Sequence, residues 1–128
     1  MVEFAIVLPV LALLVGGIID LGRLLYTYNN LTSAVREGAR LASVQQDPTT
    51  GPSQAAVRDR VRQYVVSFGG STEGLAVAVT PNAAQPNTQF VTVTITSYQF
   101  AWLTPLRSLG NVTTWPTSAF RWEGAQGP

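Results

Sequence analysis

The sequence predicts an α+β protein in which a long N-terminal helix carries a small head of one helix and a three-stranded antiparallel sheet. Residues 1–46 hold an uncharged apolar run and then an apolar stripe at helical spacing. A second amphipathic segment follows a stretch rich in Pro, Thr and Gly, and the rest alternates apolar residues with threonine. We therefore expect an extended helix at 1–46 and an α+β head at 47–128.

The first predicted helix changes character along its length. No charged residue occurs between Phe4 and Ile19, so this part is apolar on every side and requires lipid or a buried helical bundle. At ~1.5 Å per residue the run measures about 24 Å, and including its flanks from Met1 to Leu25 makes a membrane span feasible. The later apolar residues predict one face packed against the head: Leu21, Leu24, Leu25, Tyr28, Leu31, Val35, Ala39 and Ala42.

Two features inside the run weaken the helix. Pro9 cannot donate a backbone hydrogen bond and predicts a kink, which membrane helices tolerate. Gly16 and Gly17 lower helix propensity and allow another backbone to approach closely. The pattern suits a kinked anchor and equally a helix that packs tightly against other subunits.

Charged residues stand at both ends of the run. Glu3, next to Phe4, is costly if buried alone, so it either lies at the lipid headgroups or meets a cation such as the α-amino group of another subunit. Asp20 and Arg23 share a helix face and can pair where the helix leaves lipid. That pair is either an interface marker or a contact between subunits.

The head begins with a second helix, predicted from Gln54 to Phe68 with Ser53 as its N-cap and Gly69-Gly70 as its end. Its charged residues, such as Arg58 and Arg60, are expected on a solvated face. The expected buried stripe consists of Val57, Val61, Tyr64, Val65 and Phe68.

Three strands are predicted to follow as an antiparallel meander packed on the first helix. The first alternates around Leu75, Val77 and Val79, and the second around Val91, Val93 and Ile95. The aromatic residues after it fall on the threonine side, so a bulge or a second apolar contact is needed there: Tyr98, Phe100 and Trp102. The last strand is expected within 111–123, and Pro116 inside it argues for an edge position or a break.

Composition argues against most enzyme classes. The chain has no Cys and no His, which removes the thiolate ligands, the cysteine nucleophile and the commonest general base. No phosphate-binding loop or paired-carboxylate motif occurs, so we expect no catalytic residue, no cofactor and no metal. A net charge of +1 does not indicate a nucleic-acid partner.

Five short motifs follow one another along the first helix. An apolar start containing the glutamate precedes a Leu-Pro step, an Asp-x-Gly-Arg motif, a Tyr-rich turn and an Arg-Glu-Gly-Ala-Arg segment. They are Val2-Glu3-Phe4-Ala5, Leu8-Pro9, Asp20-Leu21-Gly22-Arg23, Tyr26 with Tyr28, and Val35-Arg36-Glu37-Gly38-Ala39-Arg40.

Over residues 2 to about 44 this order of motifs resembles the TadE-like pseudopilin family of Tad-type, type IV-related pili. The resemblance implies a prepilin whose basic leader is removed by a prepilin peptidase. It also implies a helix that stays in the inner membrane until the pilus machinery assembles it, with the head outside. The residues expected at the subunit interface are Glu3, Phe4, Pro9, Gly16, Gly17, Asp20 and Arg23.

The expected function is that of a pilin-like subunit of an extracellular filament, with 1–25 as the membrane or filament-core segment. Its expected partners are further copies of itself or other pilins, and the membrane before assembly. The alternative is a minor pseudopilin or accessory binding module that is anchored in the membrane and does not build the shaft. A small anchored enzyme is the third class, and the composition gives it least support.

Overall fold

The structure, a computed structural model, describes residues 2–45, 51–81, 90–103 and 116–121. Within these ranges the predicted order of elements is found, and the α+β fold class with a three-stranded antiparallel sheet is confirmed. The elements are α1 (Val2–Ser43), α2 (Gly51–Ser67), β1 (Ala76–Pro81), β2 (Phe90–Ser97) and β3 (Thr117–Arg121).

Helix α1 is one continuous helix of 42 residues that runs through Pro9. At ~1.5 Å per residue it is about 63 Å long, far longer than the head that packs on it. The head buries its C-terminal part, where Leu31, Val35 and Ala39 are fully covered. The expectation that the sheet covers the stripe from Leu21 is wrong, because Leu21 and Leu25 are both 56% exposed. Strands of five to eight residues are too short to follow the stripe that far.

Helix α2 begins at Gly51, so the expectation that Ser53 caps it is wrong. Pro52 instead occupies the first turn, where its missing N–H removes no helical hydrogen bond. The buried face is narrower than the predicted stripe and consists of Val57, Val61 and Val65, spaced four apart. Gly69, whose φ is 78°, ends the helix as predicted.

The sheet has the order β1-β2-β3, with both pairs antiparallel. Val91, Val93 and Ile95 point into the core as the alternation predicted. The pairing of β1 with β2 shifts so that Ala76 lies opposite Ser97 and Val77 opposite Ile95, which leaves Thr96 as an extra residue. This bulge turns Tyr98 toward the core, against which it packs.

Strand β3 is an edge strand, as predicted, and it begins directly after Pro116, which the prediction had placed inside the strand. The Pro116 carbonyl accepts a hydrogen bond from the Ile95 N–H at 3.3 Å. Four predicted features lie outside the described residues: the loop at 47–50, the turn at 105–110, the rest of the last strand at 111–115 and 122–123, and the tail from 124.

One core joins the two helices to the sheet. The helices lie close together at Gly38, where a Cβ would lie 2.5 Å from Cγ2 of Val61. Val57 and Val93 also border this position, so α1, α2 and β2 meet there. The absence of a side chain at Gly38 is what lets the three elements close on one another.

Candidate assembly interface

The first part of α1 stands clear of the head with its apolar side chains exposed. Phe4, at its start, is 79% exposed, and Ile19, at its end, is 51% exposed. Every large hydrophobic residue between them is likewise exposed. A contiguous apolar surface of this size marks a place of contact with lipid or with other protein.

The residues predicted for the interface fall into two groups along the helix. Glu3 and Pro9 are exposed with Phe4, and Gly16 and Gly17 are half-buried at the edge of the head. Within residues 2–45, 51–81, 90–103 and 116–121, no salt bridge reaches Glu3. The free subunit therefore presents Glu3 without a cation from the described part of its own chain.

Asp20 occupies an environment that the sequence did not indicate. It is fully buried, although we expected it at a wet boundary between lipid and water. Its Oδ1 accepts a hydrogen bond from the Leu103 N–H at 3.1 Å and lies 3.5 Å from Nη1 of Arg23. A buried carboxylate needs such partners, so Asp20 fastens the segment after β2 to α1.

Arg23 completes this contact from the outside. Its guanidinium carbon lies 5.6 Å from the centre of the Phe100 ring, and its side chain remains 44% exposed. Phe100 in turn meets Trp102 edge to face, with ring centres 5.1 Å apart. Contacts of these two kinds contribute roughly 0.5–1.5 kcal/mol each, so together they hold the segment in place.

We call this set of residues the collar: Asp20, Arg23, Phe100, Trp102 and Leu103. It lies on one side of α1, near the point where the helix leaves the head. Sequence reasoning placed Asp20 and Arg23 at the interface and indicated that Phe100 and Trp102 need a bulge or a second apolar contact, but it missed Leu103. The available signal was the pair of aromatic residues after β2, Phe100 and Trp102. The part of α1 that this segment contacts lies about 80 residues earlier in the chain, so the sequence does not show the contact.

An ionic cluster joins α1 to α2 near the C-terminal end of α1. Glu37 accepts hydrogen bonds from Arg40 on its own helix and from Arg60 on α2, at distances of 2.9 to 3.3 Å. The hydrogen bonds from Arg40 and then Arg60 lower the pKa of Glu37 from 4.5 to about 2. The hydrogen bond to Glu37 raises the pKa of Arg40. Glu37 therefore pairs with Arg40, three residues along the same helix, and also with Arg60, a partner that the sequence did not indicate.

The site combines a long apolar surface with charges at its ends, an arrangement suited to contact with lipid and protein. In the described ranges, no group of three or more Asp, Glu, Cys or His residues could hold a metal ion. Helix α1 is long and apolar enough to cross a membrane. The fold and the exposed segment define the class: a small α+β head on a long N-terminal helix that is capable of membrane insertion.

Comparison with known protein families finds a match to this helix. The family described as TadE-like protein matches residues 1–40, which include all seven residues predicted for the interface. The N-terminal segment is therefore TadE-like, and the resemblance drawn from its motifs is confirmed. No curated protein and no solved structure matches the chain.

Proposed function

We propose that this protein is a pilin-like structural subunit of a type IV-related, Tad-like surface filament. The first part of α1 holds it in the inner membrane before assembly and forms the filament core afterwards. The observation that carries the proposal is the exposed apolar surface from Phe4 to Ile19 on a helix continuous with a folded head. The TadE-like match over residues 1–40 supports the same class.

Energetics explain why this surface requires assembly once the protein leaves the membrane. Fully burying one large aliphatic side chain is worth about 1.5–3 kcal/mol. Ten of the sixteen positions from Phe4 to Ile19 carry such a side chain, and these are about half exposed or more. A solvated monomer would leave that free energy unused, whereas a bundle of many copies buries all sides of the helix.

Glu3 has a defined part in this proposal. In a bundle core of low dielectric constant, its carboxylate needs a cation, and the α-amino group of a neighbouring processed subunit is the partner that costs least to bring there. Processing of a leader by a prepilin peptidase would expose that amine, so the peptidase and the assembly machinery are further proposed partners. The proposed final location is the extracellular pilus.

A second candidate is a membrane-anchored minor pseudopilin or accessory binding module that never enters the shaft. The observation in its favour is that α1 alone is long and apolar enough to span a membrane without any partner helix. An anchor of this kind needs the apolar run, but it has no use for Glu3 at its end.

The test compares Glu3→Ala with Arg23→Ala in cells that make the filament. Sheared filaments are imaged by electron microscopy, and their subunits are counted by mass spectrometry. We expect Glu3→Ala to leave the head folded and the protein in the membrane but to reduce its incorporation strongly, whereas Arg23→Ala has the smaller effect because its side chain is 44% exposed. Asp20 is unsuitable as a control because it is fully buried.

Two results would count against the proposal. Normal incorporation of Glu3→Ala would show that the carboxylate is not needed for assembly. Filaments that contain none of this protein, while the membrane does contain it, would favour the accessory module.

A further inference from the structure

One exposed apolar stripe runs along α1 through the uncharged run and continues into the part of the helix that carries charges. Starting at Phe4, apolar residues recur at steps of three and four, which is the seven-residue repeat of a coiled-coil seam. The stripe covers four repeats, and its members are 40% to 79% exposed. Its residues, which we call the seam, are Phe4, Val7, Leu11, Leu14, Ile18, Leu21, Leu25 and Tyr28.

The seam continues beyond the uncharged run. Ile18 is its last member inside that run, and Leu21, Leu25 and Tyr28 follow it into the part of the helix that carries charges. Leu21 and Leu25 are both 56% exposed there. Apolar side chains that line up on a helix outside the lipid core indicate a protein partner.

The head leaves this stripe open. Between residues 18 and 28 it covers a different side of α1, where Asp20 is buried and Leu24 and Thr27 are half-buried. At 3.6 residues per turn, the centre of that covered side lies roughly 110° from the centre of the seam. A second helix can therefore lie along the seam without displacing the head.

Charge placement allows the partner to be an identical helix. The positions beside the seam between residues 15 and 29 are Val15, Gly17, Gly22, Leu24 and Asn29, none of which is charged. Asp20 and Arg23 fall at the positions farther from it. Two parallel copies would therefore bring no like charges together along this stretch, and the exposed Gly22, with nothing within 4 Å of a Cβ, allows close approach.

We propose that α1 pairs in parallel with a second copy of this chain along the seam, as a left-handed coiled coil that begins in the membrane and ends at Tyr28. Copies inserted in one membrane share one orientation, which makes the pair parallel. Covering eight side chains at roughly 100 Å² each buries about 800 Å² per subunit, the area that stable protein interfaces bury. The seam ends at Tyr28 because the next apolar position of the repeat, Val35, is fully buried in the head.

The pairing and the proposed function both involve α1, and the pairing depends on the proposed function in no other way. It is tested first in membranes of cells without the filament machinery. The chain has no Cys, so single cysteines can be placed at each position from 18 to 28 and oxidised in the full-length protein. We expect disulfide-linked dimers to peak at Ile18→Cys, Leu21→Cys, Leu25→Cys and Tyr28→Cys.

Tyr26→Cys is the matched control, since Tyr26 is 60% exposed, close to the exposure of Leu25, but lies off the seam. Uniform cross-linking along the segment, no cross-linking, or peaks at Ile19→Cys and Tyr26→Cys would overturn the proposal.

A second measurement uses sedimentation of the full-length chain in detergent. Leu25→Ser removes one apolar contact from each helix and should raise the dimer dissociation constant on the order of 100-fold. Tyr26→Ser should change it little, and equal effects of the two substitutions would overturn the seam. Filament incorporation is scored separately. If the protein enters filaments but cross-linking is not periodic, the pairing is refuted and the proposed function stands. If cross-linking is periodic but the protein enters no filament, the pairing stands and the proposed function is refuted.

Discussion

Substitution of Gly38 by alanine tests whether the close approach of the two helices holds the head together. Gly38 is fully enclosed where α1 meets α2, and an added Cβ would lie 2.5 Å from Cγ2 of Val61. Real Cβ atoms essentially never approach another heavy atom that closely, so one of the helices or the Val61 side chain must move. Val61 is β-branched and therefore stiff about χ1 in a helix, which makes the helices the part that must give.

The expected magnitude is a balance of two effects. Overpacking a core costs about 1–3 kcal/mol, and the stiff neighbour places Gly38→Ala in the upper half of that range. Alanine is favoured over glycine inside a helix by about 1 kcal/mol. The net loss of unfolding free energy is therefore about 1–2 kcal/mol, which for a head of this size lowers Tm by roughly 5–15 °C.

The assay is thermal unfolding of the full-length chain in detergent, followed by near-ultraviolet circular dichroism of the head. Gly22→Ala is the matched control on the same helix, because nothing lies within 4 Å of its Cβ and it should not destabilise the protein. Val61→Ala removes the atom in conflict, so the double variant should lose less stability than the sum of the two single losses. Strictly additive losses, or an unchanged Tm in Gly38→Ala, would refute the close contact.

Two further predictions concern the sheet and the ionic cluster. Val93→Ala or Ile95→Ala should lower the unfolding free energy by about 2–4 kcal/mol, because both side chains are almost completely buried. Thr94→Ala should lower it by under about 1 kcal/mol. Equal losses for Val93→Ala and Thr94→Ala in chemical denaturation would show that the assigned buried face of β2 is wrong. The pKa of Glu37 is lowered to about 2 by its two arginines, so its contribution to stability is complete above pH 4.5 and is lost as the pH falls from there toward 2. Melting curves across that window should show a smaller acid-induced fall in Tm for Glu37→Gln than for the parent, and identical curves would contradict the assignment.

Local pattern was sufficient for the elements and for the contacts within them. The spacing of Leu31, Val35 and Ala39 marked the face of α1 that the head covers, and the alternation around Val93 marked the buried face of β2. The pair of Glu37 and Arg40 was also predictable, because residues three apart on a helix are neighbours whatever the rest of the chain does. The uncharged run likewise indicated a segment that water cannot solvate.

The candidate site was predictable only in part. Its residues on α1 follow from composition and motif order, since an apolar run with charges at its ends is visible without a structure. The surroundings of these residues in the folded protein do not follow from composition or motif order. Asp20 was expected near water because residues next to lipid boundaries usually are, but the segment after β2 covers it and donates the Leu103 N–H to it.

Local sequence pattern was enough to predict the helices, the strands, most of their buried faces and the TadE-like motif order of α1, because these features depend on neighbours a few positions away. The tertiary structure alone decided how far the head extends along α1, which partner reaches Asp20, and that Arg60 joins Glu37. These depend on strand length and on the path of the chain between elements. Periodicity specifies which side of a helix is apolar, but it carries no information about which distant segment will cover that side or where the covering ends.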